Sequence, residues 1–566
     1  MPTERPRANR GLNVLENQPV LEPVNGQVPQ KRSAAWSPSQ APSVVPWPKE
    51  SSFGTASRRI SSKFHLQMEP DVPVVRQAFD RFLASSLSRP AVVVESSCIT
   101  HAAVKVTDPK AALAMGVDES YRLQVQDDVI TVNAPTPWGA LHALTTLGQL
   151  VHFDAETKTY SIRHLPLRIS DEPRFPHRSV LIDTVRHFLP VWQLEKAIVS
   201  LALAKFNVLH WHPADAQAFT VETPSFPRLW RGAYSPNERY TLAEVAHVVR
   251  FARAHGVRVM FEFDVPGHNQ GWCEGYPEIC PSAECPMPLN PAVNKTWDVI
   301  AGVLDDYTGD ILGEEVDPWI HLGGDEANTE CWGKTPSIVE WLKDNKLSEG
   351  QGYGEFCKKA ALMGRERGRV VVQWEEVWGA VRKNLHPDTV IQAWMSKKTL
   401  KDVVEAGSTP ALTTTSCSCH HYTTYAALPH PPIPIAHMHR YRGILSQYPT
   451  WYANYQMVSW EEMYNNEPYE NIDDVKQQSL IIGGEVCVWG EHVDPSNVFT
   501  TLWPRGAGVA ERLWSQQSVT DNEDFEKRLH RFRCHLIDHG VPSGVVHKQP
   551  RNKEFDVDDP ESCYAH

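Results

Sequence analysis

SVLIDT, residues 179–184, is an apolar run that stops at an acid, and it opens a series of runs built the same way. FNVLHWH (206–212), RVMFEFD (258–264), WIHLGGDE (319–326), RVVVQWEE (369–376), TVIQAW (389–394), ALTTT (411–415) and LIIGGEVCVW (480–489) follow it. Short β-branched runs closed by polar residues are the mark of buried strands. Between several of them, Gln193–Phe206, Leu242–Ala254 and Trp297–Ile311 repeat apolar residues at three- and four-residue spacing, as amphipathic helices do. Eight buried strands alternating with helices predict an α/β fold, a (β/α)8 TIM barrel. A doubly wound open sheet competes with it, but that fold has fewer strands and a Gly-rich phosphate loop that this sequence lacks.

Working outward, residues 1–45 are rich in Pro, Ser, Asn and Gln and read as a disordered leader. Residues 46–172 form a small α/β domain, with a Val run at Ala91 to Val94, alternating segments at Tyr121–Val125 and Val129–Asn133, and an apolar helix near Trp138–Val151. The barrel spans 173–545 and a tail follows at 546–566. Hydrophobic content of 41% and charged content of 22% are those of a globular protein. A net charge of −13, with no cluster of Lys and Arg, argues against nucleic acid as a partner. No stretch is long and apolar enough to span a membrane, and the N-terminus shows no signal peptide. The 19 Trp favour sugar binding, because pyranose faces stack on flat apolar rings. Among 11 Cys, Cys273, Cys280, Cys285, Cys331, Cys534 and Cys563 suit disulfides in an oxidising compartment, as does the acceptor sequence Asn294-Lys295-Thr296. No Cys and His spacing reads as a zinc site.

A barrel of this kind carries its site at the C-terminal ends of its strands. Those ends collect Asp183 and Arg186, Asp215, His268, Asp325 and Glu326, Trp374, Trp394, Trp489 and Glu491. The sharpest signal is His321-Leu322-Gly323-Gly324-Asp325-Glu326, where two glycines let the chain turn sharply and present two carboxyls. Any one of these residues alone reads as core or surface. Their convergence at one end of the barrel reads as a site.

DTVRHFLP, FNVLHWH, DVPGH, IHLGGDEANTECW, GGEVCVWGE and WPRGAGVAERLWS resemble the eukaryotic β-hexosaminidases of glycoside hydrolase family 20. The resemblance implies a small zincin-like α/β domain before the barrel. It also implies retaining, substrate-assisted removal of terminal β-GlcNAc or β-GalNAc through an oxazolinium ion, without metal or organic cofactor. Glu326 would be the general acid and then the base, its pKa raised by Trp-lined burial, and Asp325 would orient the acetamide. Asp215 and His268 match the pair that tunes the acid, Arg186 the clamp on sugar hydroxyls, and Glu491 the acceptor for a distal hydroxyl. Trp374, Trp394 and Trp489 match the aromatic walls, while Tyr452 and Asn454 match a segment at the acetamide and the distal edge. The implied substrates are N-acetylhexosamine-terminated glycans, in a lysosomal, vacuolar or secreted setting, with a homodimer as the family's assembly. A glycan-binding protein with impaired catalysis on the same fold is the alternative. A family 18 chitinase is disfavoured, since its acidic strand motif is absent at the fourth strand.

Two departures stand out. The family's second strand carries two consecutive Asp, and here the second is Ala216 in HPADAQ. The stretch 416–447, rich in His, Pro and Cys, separates ALTTT from Trp451-Tyr452-Ala453-Asn454. It reads as an insertion of translated intron or mispredicted sequence, because motif flows into motif once it is removed. Cys417, Cys419, His420 and His421 crowd within it but lack a second ligand group.

Overall fold

The computed structural model describes residues 42–309, 312–313, 316–408, 440–546 and 563. A mixed sheet comes first, from β1 (Glu50–Met68), β2 (Cys98–Val106), β3 (Tyr121–Gln126), β4 (Val129–Ala134), β5 (Val151–Asp154) and β6 (Thr159–Asp171), in the order β1-β2-β4-β3-β6-β5. The helices α1 (Pro73–Ser86) and α2 (Pro137–Leu150) pack together over it. Thr136 caps α2 by accepting the Gly139 N–H, and a proline stands in the first turn, where a missing N–H costs nothing. Alternation along β3 and β4 turns Leu123, Val125, Ile130 and Val132 into the core. The Val run at 91–94 is not a strand: Val92 and Val93 are exposed, and no neighbouring strand pairs with them.

The barrel closes through eight parallel strands: β7 (His177–Asp183), β8 (Val208–His212), β9 (Arg258–Glu262), β10 (Trp319–His321), β11 (Val370–Trp374), β12 (Val390–Ala393), β13 (Arg442–Leu445) and β14 (Ile481–Val488). Helices α3 (Val191–Leu203), α4 (Leu242–Ala254), α5 (Asn294–Thr308), α6 (Glu349–Glu366), α7 (Glu375–Val381), α8 (Lys397–Ser408), α9 (Gly506–Trp514) and α10 (Asn522–Asp538) belong to the outer layer. Both faces of each strand are therefore covered, which is why β7, β8, β9 and β14 are buried at every residue.

The seventh strand corrects the sequence reading. ALTTT (411–415) and the insertion as far as residue 439, with its Cys and His cluster, lie outside the described residues. The strand that fills the seventh place is Arg442–Leu445, inside the stretch read as insertion, and it pairs with β12 and β14. Gly443 is required there, because a Cβ would meet Leu400 Cδ1 of α8 at 2.3 Å. Arg442–Leu445 is thus part of the barrel wall.

Both ends of the region are also tied down further than expected. Val44 and Val45, read as the end of a disordered leader, are fully buried. The Trp47 N–H donates to Glu511 of α9 at 2.9 Å, and Arg528 of α10 donates to the Val44 carbonyl at 3.1 Å. In the tail, Cys563 pairs with Cys534, and Cys273–Cys280 and Cys285–Cys331 complete three disulfides. All six cysteines singled out in the sequence are used. Cys98, Cys357 and Cys487 are buried thiols. Residues 1–41 of the leader and 547–562 and 564–566 of the tail lie outside the described residues.

Candidate active site

The two glycines that follow β10 adopt left-handed conformations, with φ of +56° at Gly323 and +99° at Gly324. A side chain could not replace either. A Cβ on Gly323 would stand 1.9 Å from Asp264 Oδ1, and one on Gly324 would stand 2.5 Å from Val377. The Gly324 N–H donates to Asp264 Oδ1 at 2.7 Å, and Tyr353 donates to the Gly324 carbonyl. The turn so fixed sends the next two carboxyls different ways. Asp325 points inward with a side chain 14% exposed, and Glu326 outward with 59%. Glu326 and His268 themselves sit at φ +48° and +49°, an uncommon conformation for residues other than glycine, held where two loops face each other.

His268 is the centre of the acidic cluster. Its Nε2 lies 3.5 Å from Glu326 and 3.7 Å from Asp325, and its Nδ1 lies 3.2 Å from Asp215 Oδ1. Burial works against its charge, but Asp215, Glu326 and Asp325 outweigh this and push its pKa to about 12. Asp215 is held well down: burial opposes the charge, and His212, His268 and Arg186 overcome it. Arg186 bridges Asp183 at 2.9 Å and Asp215 at 2.8 Å, while its Nε is buried with no partner. Ala216, the departure from the family motif, only donates its N–H to Asp215 Oδ1.

Glu326 runs against expectation. The facing imidazolium of His268 holds its pKa below the ordinary carboxylate value, and burial is too slight to reverse this. The raised pKa belongs to its neighbours. Burial pushes Asp325 up, and burial together with the Asp325 charge pushes Asp264 well up. The Asp264, His268 and Asp325 ligand atoms lie within 4.8 Å of one another, as do those of His210, Glu262 and His321. Protonated His268 and His210 are poor cation ligands, since a metal needs the neutral ring.

Trp374, Tyr452 and Cys487 form one buried cluster with Leu181, against which Trp394 and Trp489 pack. Trp374 and Trp489 have centroids 6.2 Å apart, Trp394 and Tyr452 6.3 Å, and the Arg186 guanidinium lies 5.1 Å from the Trp489 ring. The segment carrying Tyr452 is fastened to β14, with Ala453 donating to the Cys487 carbonyl at 2.8 Å and Cys487 to the Trp451 carbonyl at 2.9 Å. Asn454 follows, half-buried, its Oδ1 without a partner. Glu491 is exposed and close enough for its charge to raise the Arg186 pKa. Charged core, aromatic walls and Glu491 are thereby linked, whereas the Asn454 Oδ1 accepts no hydrogen bond from the charged core.

Several residues that hold these groups escaped the sequence reading. Trp374 Nε1 donates to Glu262 at 2.7 Å, and Trp394 Nε1 to Glu376 at 3.1 Å. Glu375 accepts the Trp394 N–H at 2.9 Å and the Met395 N–H at 3.2 Å, which fixes the strand end. Burial and then the Asp325 charge push Glu376 up to about 8. The signal was available: both acids follow Trp374 directly in RVVVQWEE.

Barrel, carboxyl pair and aromatic enclosure together define a glycoside hydrolase site. The chain matches the model of the glycosyl hydrolase family 20 catalytic domain over residues 175–517, and a beta-acetyl hexosaminidase-like model over 44–150. It is 37% identical to beta-hexosaminidase 1 of Arabidopsis thaliana, covering 94% of this chain and 95% of that one. It is 35% identical to the beta-hexosaminidase subunit beta of Mus musculus over 76% of this chain and 75% of that one. Among solved structures, a Flavobacterium johnsoniae chitobiase superposes with a TM-score of 0.74 at 26% identity, covering 88% of this chain and 73% of that one. This protein belongs to glycosyl hydrolase family 20.

Proposed function

We propose that the chain is a retaining exo-β-N-acetylhexosaminidase, and that Asp325 and Glu326 carry its chemistry with the substrate's own acetamide as nucleophile. The single observation behind this is the pair itself: one carboxyl turned in towards the aromatic enclosure, the other turned out, and His268 between them. Substrates are glycans ending in N-acetylhexosamine. In the first step the acetamide oxygen attacks the anomeric carbon as Glu326 protonates the leaving oxygen, giving an oxazolinium ion. In the second, Glu326 accepts a proton from water, which opens the ion with net retention. Asp325 and Tyr452 face the acetamide, and the Asp325 charge balances the positive ring. Arg186, with its spare Nε–H, and exposed Glu491 take the sugar hydroxyls.

A lowered pKa on Glu326 suits a free acid open to water. A sugar lying over it displaces that water and drives the carboxyl upward, so the acid gains its proton affinity with substrate bound. The alkaline limb of kcat should accordingly lie above that of kcat/KM. Three disulfides are consistent with a lumenal or extracellular compartment. No helix among the described residues is long and apolar enough to cross a membrane. A homodimer is part of the same reading, and sedimentation of the purified chain checks it.

The test is hydrolysis of a chromogenic β-N-acetylglucosaminide beside the β-glucoside that lacks the acetamide. The first should be cleaved and the second not, and Glu326→Gln should lose about 10³-fold in kcat. Equal rates on both glycosides would exclude substrate assistance, and a folded wild-type chain that binds but cleaves neither would be a lectin-like protein.

A further inference from the structure

We propose that Asp215 is the upper end of a buried column of alternating carboxylates and imidazoles, in which His212 and Glu262 are positioning residues that set the protonation of Glu326 and seat the Trp374 ring. The inference rests on the hexosaminidase reading for its kinetic test, though not for its structural one. From Asp215 Oδ2 the column descends to His212 Nε2 at 2.8 Å, and from His212 Nδ1 to Glu262 Oε2 at 2.7 Å. It continues from Glu262 Oε2 to His210 Nε2 at 3.2 Å and from His210 Nδ1 to Glu485 Oε2 at 3.0 Å. Ser179 at 2.7 Å and Gln392 at 2.6 Å close its lower end on Glu485. His210 and His212 stand on β8, Glu262 on β9 and Glu485 on β14, with Asp215 in the loop just past β8, and none is more than 1% exposed.

The charge pattern follows from donor counting. An ionised carboxylate only accepts, so an imidazole with a carboxylate oxygen on each nitrogen must donate from both and is therefore imidazolium. His212 meets that condition at both nitrogens. His210 donates from Nδ1 to Glu485, while its Nε2 lies 3.2 Å from Glu262 as a charge contact without hydrogen-bond geometry. Burial opposes their charges, yet Glu262 with Asp215 raises His212 to about 10, and Glu485 with Glu262 raises His210 to about 9. Alternation lets five buried ionic groups stand without water, since each has opposite neighbours. At the top, an ionised Asp215 holds a proton on His268 Nδ1, which leaves His268 Nε2–H aimed at Glu326. Glu262 does a second task with its other oxygen, accepting the Trp374 indole N–H at 2.7 Å.

Other groups facing the column do not break the pattern. His321 lies 3.1 Å from Glu262, but its Nδ1 accepts the Gly323 N–H and burial keeps the ring neutral. His177 is held neutral by burial and by Arg258 and His210. Burial pushes the Cys487 thiol beside Glu485 well up, Arg186 adds a cation on Asp215, and the Glu262 charge adds to the burial that raises Asp264 and Asp325.

Opposite shifts are the diagnostic. His212→Gln removes a cation from the column and should move the alkaline limb of kcat upward. Glu262→Gln removes an anion and should move it downward, each by about half a pH unit. Glu262→Gln retains an acceptor for Trp374 and should keep KM, whereas Glu262→Ala loses the seat and should raise it several-fold. Loosened packing would move both limbs the same way or neither, and either result overturns the proposal. Imidazole ¹⁵N spectra of the wild-type chain test it without any variant. His210 and His212 should read as imidazolium throughout about pH 5 to 8, and a neutral ring at either position would refute the column. A wild-type chain inactive on the N-acetylglucosaminide would sink the enzymatic reading while leaving those spectra decisive.

Discussion

Arg178 enters β7 at its second residue, and Arg186 leaves it three residues beyond the last. Both are buried against carboxylates, but their donors are spent differently. Arg178 grips Glu119 with two nitrogens at 3.0 and 2.7 Å, gives Nε to the Lys205 carbonyl at 2.8 Å, and lies over Trp514. Nothing is left over, and the group locks the mixed sheet to the foot of the barrel. Arg186 bridges Asp183 and Asp215 yet keeps a buried Nε–H without a partner, at the open end. The first guanidinium is a fastening; the second, with an unspent donor at the mouth of a barrel, has the form the proposed sugar clamp needs.

Breaking the fastening should have the largest effect. Arg178→Met leaves the buried Glu119 without a cation, since Asn207 offers only a neutral amide and His142 is kept neutral chiefly by burial, and should cost about 3–5 kcal/mol in denaturant unfolding. The same pair predicts acid sensitivity. Burial pushes Glu119 up, but Arg178 and His142 hold it down at about 2 from an ordinary 4.5. Its folded value is depressed, so its stabilisation is complete above about 4.5 and disappears as pH falls through 2. Arg178→Met should therefore flatten the pH dependence of stability in that window.

Arg186→Met should reverse the profile. Asp215 keeps His212 and His268, and Asp183 keeps the N–H groups of Val185, Arg186 and Gly490, so unfolding should move little. Its kcat/KM should fall about 10- to 100-fold, as for a charged hydrogen bond of about 1.5–3 kcal/mol. Lys at 186 should not rescue it, because one ammonium cannot bridge two acids and a sugar. His268→Gln comes next: with the facing cation gone, the depressed Glu326 pKa returns upward. The alkaline limb of kcat/KM should then rise by about one unit while the rate falls, and an unmoved limb would show that Glu326 is not the titrating acid. Asn454→Asp is the smallest, slowing anionic over neutral N-acetylhexosaminides by about 2- to 5-fold, a ratio read directly from paired rates.

Most of the barrel was legible because parallel strands covered on both faces read as dense apolar runs, and seven of the eight do so here. The seventh misled for a physical reason. ALTTT looks like a strand by β-branching, whereas the strand in place opens with Arg442-Gly443, poor formers tolerated because α8 presses against the glycine. The outward groups of the site could be found from strand ends. His210, His212, Glu262 and Glu485 could not, because a polar residue inside a strand gives no sign of whether a partner meets it across the barrel. Glu326 shows the other limit: the sequence predicts Trp-lined burial, but only geometry reveals that His268 faces it first.

The docking of Val44 and Trp47 on α9 and α10 bears on how the chain is made. The earliest described residues pack against helices synthesised some five hundred positions later, so the mixed sheet leaves the ribosome with its seam open. Translation must pass α10 before that seam can close, and a nonsense codon ahead of α10 would leave two unsealed edges for the chaperones rather than a shortened enzyme.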